Sequence, residues 1–185
     1  MTSRTAIVFL LAATACVGPE QIPPELVQTA TVSTSSAVAV LPAEGTFQWL
    51  DNSGVLDETM RLEGQRVRDL DAELRDVIEA AIEPRGITYE RFEEPDVRVG
   101  FYVVVGEIGA HSDVLAELGI DPGLHVRDTG FADGQATLLL QIVDGVEPIR
   151  RWQGAVQGLS HSELDPRVRR VRLEAVVGQL VAQIP

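Results

Sequence analysis

Lysine is absent from this chain of 185 residues, so all 15 of its basic residues are arginine. That excludes Schiff-base chemistry and the Walker A phosphate loop, both of which need a lysine ammonium. Cysteine is nearly absent too. A single residue, Cys16, rules out an intrachain disulfide and any zinc site built on cysteines. Positive charge is scarce overall. Against 28 acidic residues the formal charge is −13, which argues against nucleic acid as a partner because phosphates repel an acidic surface. No glycine-rich phosphate fingerprint follows a strand pattern.

What is present belongs to a globular domain. Hydrophobic residues make up 45% of the chain and charged residues 23%, enough for a core. The stretch that organises the rest is Pro95 to Val105. There Val97, Val99, Phe101, Val103 and Val105 alternate with Asp96, Arg98, Gly100, Tyr102 and Val104, which predicts a strand with one fully buried face.

The N-terminus reads as a targeting segment over residues 1–16. Arg4 supplies a short positive region, Ala6 to Ala13 an apolar run too short to span a bilayer, and Ala13-Thr14-Ala15 small residues leading into Cys16. This resembles a bacterial lipoprotein signal, although Ala13 stands where leucine is usual. The resemblance implies a cell-envelope protein cleaved before Cys16, acylated there and facing the periplasm. Val17, rather than aspartate, favours the outer membrane by similarity to enteric lipoproteins. Residues 17–45, with Pro19, Pro23, Pro24, Pro42 and a Ser/Thr-rich run from Thr29 to Ser36, read as a flexible tether. Its 29 residues (45 − 17 + 1) would reach about 95 Å fully extended.

Beyond it, Thr46 to Leu50 predicts a short strand and Leu62 to Glu83 a helix. Val67, Leu70, Leu74, Val77, Ile78 and Ala81 line one face of that helix, and an Asp71–Arg75 pair is expected on the opposite, solvated face. Ile87 to Phe92 predicts a strand whose short turn would make it antiparallel to the Pro95 strand. Gln135 to Val143 and Ile149 to Gly158 predict a hairpin, and Asp165-Pro166 starts a last helix ending near Ile184. Residues 107–134 form a long interruption of the kind that is functional or mobile. The expected architecture is a two-layer α+β domain over residues 46–185: a mostly antiparallel sheet of about five strands with both helices on one face.

Several short motifs recur in this order: Thr-Phe-Gln-Trp-Leu (46–50), Arg-Gly-Ile (85–87), Pro-Asp-Val-Arg-Val (95–99), Ile-Val-Asp-Gly (142–145) and Arg-Trp-Gln-Gly (151–154). Behind a lipoprotein signal, the set resembles the envelope lipoproteins grouped as domain of unknown function 4136 (DUF4136). That family supplies no catalytic residues to carry over.

Candidate chemistry is sparse. His111, Asp113, Asp121 and His125 match no metal-ligand template, and Ser160-His161-Ser162 lacks a nucleophile elbow. No catalytic residue, metal or cofactor is assigned, and the expected role is not enzymatic. Trp49 and Trp152 read as core or sheet-edge anchors, and Asp96 as turn chemistry. Arg167, Arg169, Arg170 and Arg172 cluster where they oppose the dipole of the last helix. They mark a possible anion or partner contact, joined by Arg150 and Arg151, unless Glu163, Asp165 or Glu174 pairs with them. The leading expectation is a membrane-anchored lipoprotein, held by Cys16, that binds or scaffolds an envelope protein or lipid. The alternative is a lipid or small-molecule carrier with a pocket between sheet and helices, gated by residues 107–134.

Overall fold

A computed structural model describes residues 29–35, 40–51, 53–57, 64–106, 134–160 and 164–185. Seven strands, β1 (Thr29–Ser35), β2 (Gly45–Trp49), β3 (Gly54–Asp57), β4 (Ile87–Tyr89), β5 (Val97–Gly106), β6 (Gly134–Asp144) and β7 (Arg150–Ser160), make one sheet. Helices α1 (Gly64–Ile82) and α2 (Pro166–Val181) pack on one of its faces, giving the expected two-layer α+β arrangement.

The strand order is β1-β7-β6-β5-β2-β4, with β3 also on β5. The long pairings, β1–β7, β6–β7 and β5–β6, are antiparallel, while β2–β4, β2–β5 and β3–β5 are parallel. The sheet is therefore larger than about five strands and mixed. The β4–β5 connection is not the expected hairpin: β2 lies between them, parallel to both. A short connection makes antiparallel neighbours only when no third strand takes the place between them. Here β2 does, through its parallel pairing with both strands, and Gln48, on the face away from the helices, donates to the Glu93 carbonyl at 2.7 Å as residues 90–96 cross over.

The core explains the spacing of the helices. Leu74, Val77, Ile78 and Ile82 of α1 meet Phe47, Val97, Val99, Phe101, Leu140, Ile142 and Trp152 of the sheet, all at most 2% exposed. From α2, Val177, Leu180 and Val181 join them with Ile184, and Leu173 and Val176 pack against the cluster. The stripe on α2 thus begins at Leu173, and Val171 is 42% exposed. The Asp165 cap is as expected: its Oδ1 accepts from the Arg167 N–H at 2.9 Å.

Two further sequence expectations are corrected. The first concerns the tether: Thr29–Ser35 is β1, paired along its whole length with β7. Its Ser/Thr content suits an edge strand, and the pairing is made by backbone groups that leave no side-chain signature. The second concerns Arg75. Its pair with Asp71 forms at 2.9 Å, but the guanidinium lies over the Trp49 and Phe101 rings (4.8 and 5.3 Å to the centroids) rather than on a solvated face. Trp49 in turn donates its indole N–H to Glu79 at 3.2 Å.

The domain has two distinct ends. At one, here the base, β2 and β5 begin, β6 ends and β7 starts. Both helices finish there: Arg85, just past α1, donates to the carbonyls of Val181 and Ile184 at 3.4 and 2.9 Å. At the other, the crown, both helices begin and β1 enters, Thr29 facing Gly158.

Candidate functional site

The motifs scattered along the sequence converge on the base. Arg85 donates to carbonyls at the end of α2, that of Val181, which also accepts from the Ile184 N–H at 3.2 Å, and that of Ile184. Gly86 takes a left-handed conformation (φ 81°), and a Cβ there would collide with the Ala43 carbonyl oxygen, so the chain needs glycine. Asp96 is not simple turn chemistry. Its Oδ2 accepts from the Thr46 N–H at 2.8 Å and lies 3.3 Å from the Thr46 hydroxyl, tying the start of β5 to the start of β2 across 50 residues of sequence.

The β6–β7 connection is held by Asp144. Its Oδ1 accepts from the N–H groups of Val146 (3.0 Å) and Glu147 (3.1 Å), and its Oδ2 takes the Arg151 guanidinium. Arg151 reaches it because of a bulge: Val143 faces Arg150 and Ile142 faces Trp152, leaving Arg151 as the extra residue. The backbone N–H groups of Glu147 and Val146, with the Arg151 guanidinium, lower the Asp144 carboxyl from its ordinary 3.8 to about 2. Glu90 repeats the device in the other connection. Its Oε1 accepts from the Phe92 and Arg91 N–H groups at 2.9 and 2.8 Å, and those bonds hold its carboxyl below the ordinary range.

The two connections are locked to each other. Gly145 donates its N–H to the Asp96 carbonyl at 3.2 Å, and a Cβ on Gly145 would fall well inside contact with the Pro95 carbonyl oxygen. On this fixed backbone stand exposed apolar side chains: Phe92 (87% exposed), Val146 (73%), Ile149 (55%) and Tyr89 (45%). Among the described residues they are four of the five large hydrophobic side chains that are exposed, the fifth being Val171 on α2. Sequence reasoning placed Phe92 in a strand and Val146 in a tight connection. A signal was available: both are single apolar residues ahead of acid and proline, in Phe92-Glu93-Glu94-Pro95 and Val146-Glu147-Pro148.

The arginines singled out from the sequence form no single cluster. Arg150 and Arg151 are at the base, whereas the other four are at the crown, about 35 Å away along the 11 residues of β7. At the crown, Arg169 pairs with Glu73 of α1 at 3.0 Å and Arg170 with Glu174 at 2.8 Å. The Glu174 hydrogen bond raises the Arg170 pKa, and burial lowers that of Arg172. Arg167 is exposed. Trp152 is a core residue, 1% exposed. Cys16, His111, Asp113, Asp121, His125, His161 and residues 107–133 lie outside the described residues.

Among the described residues, no helix is long and apolar enough to cross a membrane. No family model matches the chain, and no curated protein matches it either. Solved structures do. A PDZ domain protein from Parabacteroides distasonis superposes with a TM-score of 0.51 at 13% identity, over 85% of this chain and 36% of that one. The chain therefore spans about a third of that protein's length, and the likeness is one of fold. A DUF4136 family protein from Bacteroides thetaiotaomicron, of the family the sequence resembles, superposes with a TM-score of 0.48 at 15% identity, over 84% of this chain and 95% of that one.

Proposed function

We propose that this protein is a non-catalytic, membrane-anchored envelope lipoprotein that binds another envelope component through its base. The observation that carries the reading is the rigid base itself, where carboxylates and a locked glycine hold the backbone while apolar side chains face solvent. Exposed, pre-ordered aromatic and aliphatic groups of this kind bind with little ordering cost. The carboxylates also bear on chemistry. General acid–base work at neutral pH needs a carboxyl raised toward 7, and Asp144 and Glu90 are both shifted the other way.

Chain direction supports the orientation. With Cys16 as the anchor, the chain enters the described fold at Thr29 on the crown, and the 13 steps between them (29 − 16) reach about 45 Å at most. The base is then the end presented away from the bilayer. Acyl chains on Cys16, at about 0.8 kcal/mol per buried methylene, would hold the protein on the membrane. The interior between sheet and helices is filled by Phe47, Leu74, Ile78, Phe101, Leu140 and Leu180, all at most 1% exposed, and this favours binding at the surface over carriage inside.

The test has two arms. The full chain with its own signal, expressed in a bacterial host, is compared with Cys16→Ala by intact mass and membrane fractionation; acyl mass and membrane association are expected only in the parent. A photo-crosslinking residue at position 92 is then compared with one at Ala80, on the exposed side of α1. Discrete envelope crosslinks are expected from position 92 alone. A soluble, unacylated parent sinks the anchor, and equal crosslinking from both positions sinks the base as the binding end.

A further inference from the structure

The binding reading leaves the chemistry of the partner open, and the surroundings of Phe92 and Val146 narrow it. Glu93, Glu94 and Glu147, their immediate neighbours, are exposed, and among the described residues their side chains make no ion pair or hydrogen bond. The arginines of the base are mostly committed. Arg91 lies over the Phe92 ring at 5.6 Å, Arg151 is held by Asp144, Arg150 reaches Gln153 and Arg85 is spent on the end of α2. Among the described residues of the base, Arg98 on β5 is the one exposed arginine without such a contact. Carboxylates thus outnumber arginines around the apolar tips: Glu90, Glu93, Glu94, Asp96, Asp144 and Glu147 stand against Arg91, Arg98, Arg150 and Arg151 in the stretches 90–98 and 144–151.

We infer that the base docks a polypeptide surface that offers an apolar pocket rimmed by lysine or arginine. This deepens, and rests on, the reading of the base as the binding end. Three arguments select that occupant. Phe92 and Val146 are 87% and 73% exposed, so a partner must supply the surface that buries them, and a buried aromatic anchor surrounded by polar groups is how such contacts concentrate their energy. An anionic bilayer surface is disfavoured, since it repels the same carboxylates that a basic rim would attract. A second copy of this chain is a poor match. It has no lysine and a formal charge of −13, so two copies repel, and of its crown arginines Arg169 and Arg170 are already paired with Glu73 and Glu174 while Arg167 stands exposed.

The experiment uses the Cys16→Ala chain, which carries no acyl anchor to insert into lipid and needs no detergent, and three probes: an amphipathic leucine–lysine peptide, a leucine–glutamate peptide of equal length, and phosphatidylglycerol vesicles. Binding of the lysine peptide is expected to weaken at least tenfold in Phe92→Ser/Val146→Ser, which changes no charge. It should weaken several-fold in Glu93→Gln/Glu94→Gln/Glu147→Gln. A control, Asp51→Asn/Asp69→Asn/Asp76→Asn, removes as many exposed carboxylates elsewhere and should bind like the parent. Equal weakening in the control would mean diffuse attraction to an acidic protein, and overturns the inference. So does preference for the glutamate peptide or the vesicles, or self-association in sedimentation that Phe92→Ser abolishes. If position 92 crosslinks to an envelope component whose capture ignores the glutamine substitutions, the base still binds and only the basic-partner assignment falls.

Discussion

Gly145 shows how much of this protein turns on single atoms. Its backbone lies against the Pro95 carbonyl, with no space for a side chain, and its N–H closes the bond to Asp96 that locks the two base connections. Gly145→Ala is expected to cost about 1–3 kcal/mol, the range for forcing a methyl into a packed site, and to shift the denaturant midpoint without changing the slope. Next to it, Asp144 makes a pH-dependent contribution. Because its folded-state pKa is depressed to about 2, its stabilisation is present above the ordinary value of 3.8 and is lost as pH falls from there toward 2. Denaturant midpoints measured across that window should fall with pH in the parent and fall less steeply in Asp144→Asn. Some slope should remain in the variant, because the Glu90 carboxyl is depressed in the same way.

At the scale of elements, the two helices run side by side in the same direction and are joined at two places. Arg169, in the first turn of α2, reaches Glu73 midway along α1, and Arg85 covers the carbonyls at the end of α2. Arg85→Met keeps much of the side chain's bulk and removes its donors. It is expected to cost about 1–3 kcal/mol, the usual price for carbonyls deprived of a charged donor, with faster amide exchange confined to the last turn of α2. The helices themselves were legible from periodicity. Leu74, Val77 and Ile78 on α1 and the Asp165-Pro166 start of α2 fell where spacing put them. The role of Arg85 was not legible, because its partners lie 96 and 99 residues away and are backbone atoms.

For the molecule as a whole, the edge at β1 matters most. Deleting residues 29–35 would expose the 11-residue β7 as a free edge, and such edges associate. The deletion is expected to lower the melting temperature and promote aggregation, whereas deleting residues 17–28 should leave melting unchanged. Equal effects of the two deletions in calorimetry would show that β1 contributes nothing to the fold. The same strand marks where sequence reading stopped. Thr29 to Ser35 looks like a linker in composition, and only pairing with β7 makes it a strand.

The sequence by itself determined which segments are helices, that Val97 to Val105 is a buried strand, that β6 and β7 form a hairpin, and that helices and sheet stack in two layers. Those properties follow from local spacing, since a side chain's direction repeats every 3.6 residues in a helix and every two in a strand. Tertiary structure decided the insertion of β2 between β4 and β5, the capture of β1, the separation of the arginines to opposite ends and the assembly of the base. Each depends on which backbone N–H meets which oxygen across tens of residues. Asp96 with Thr46 and Asp144 with Arg151 reveal nothing of their pairing until the chain has folded.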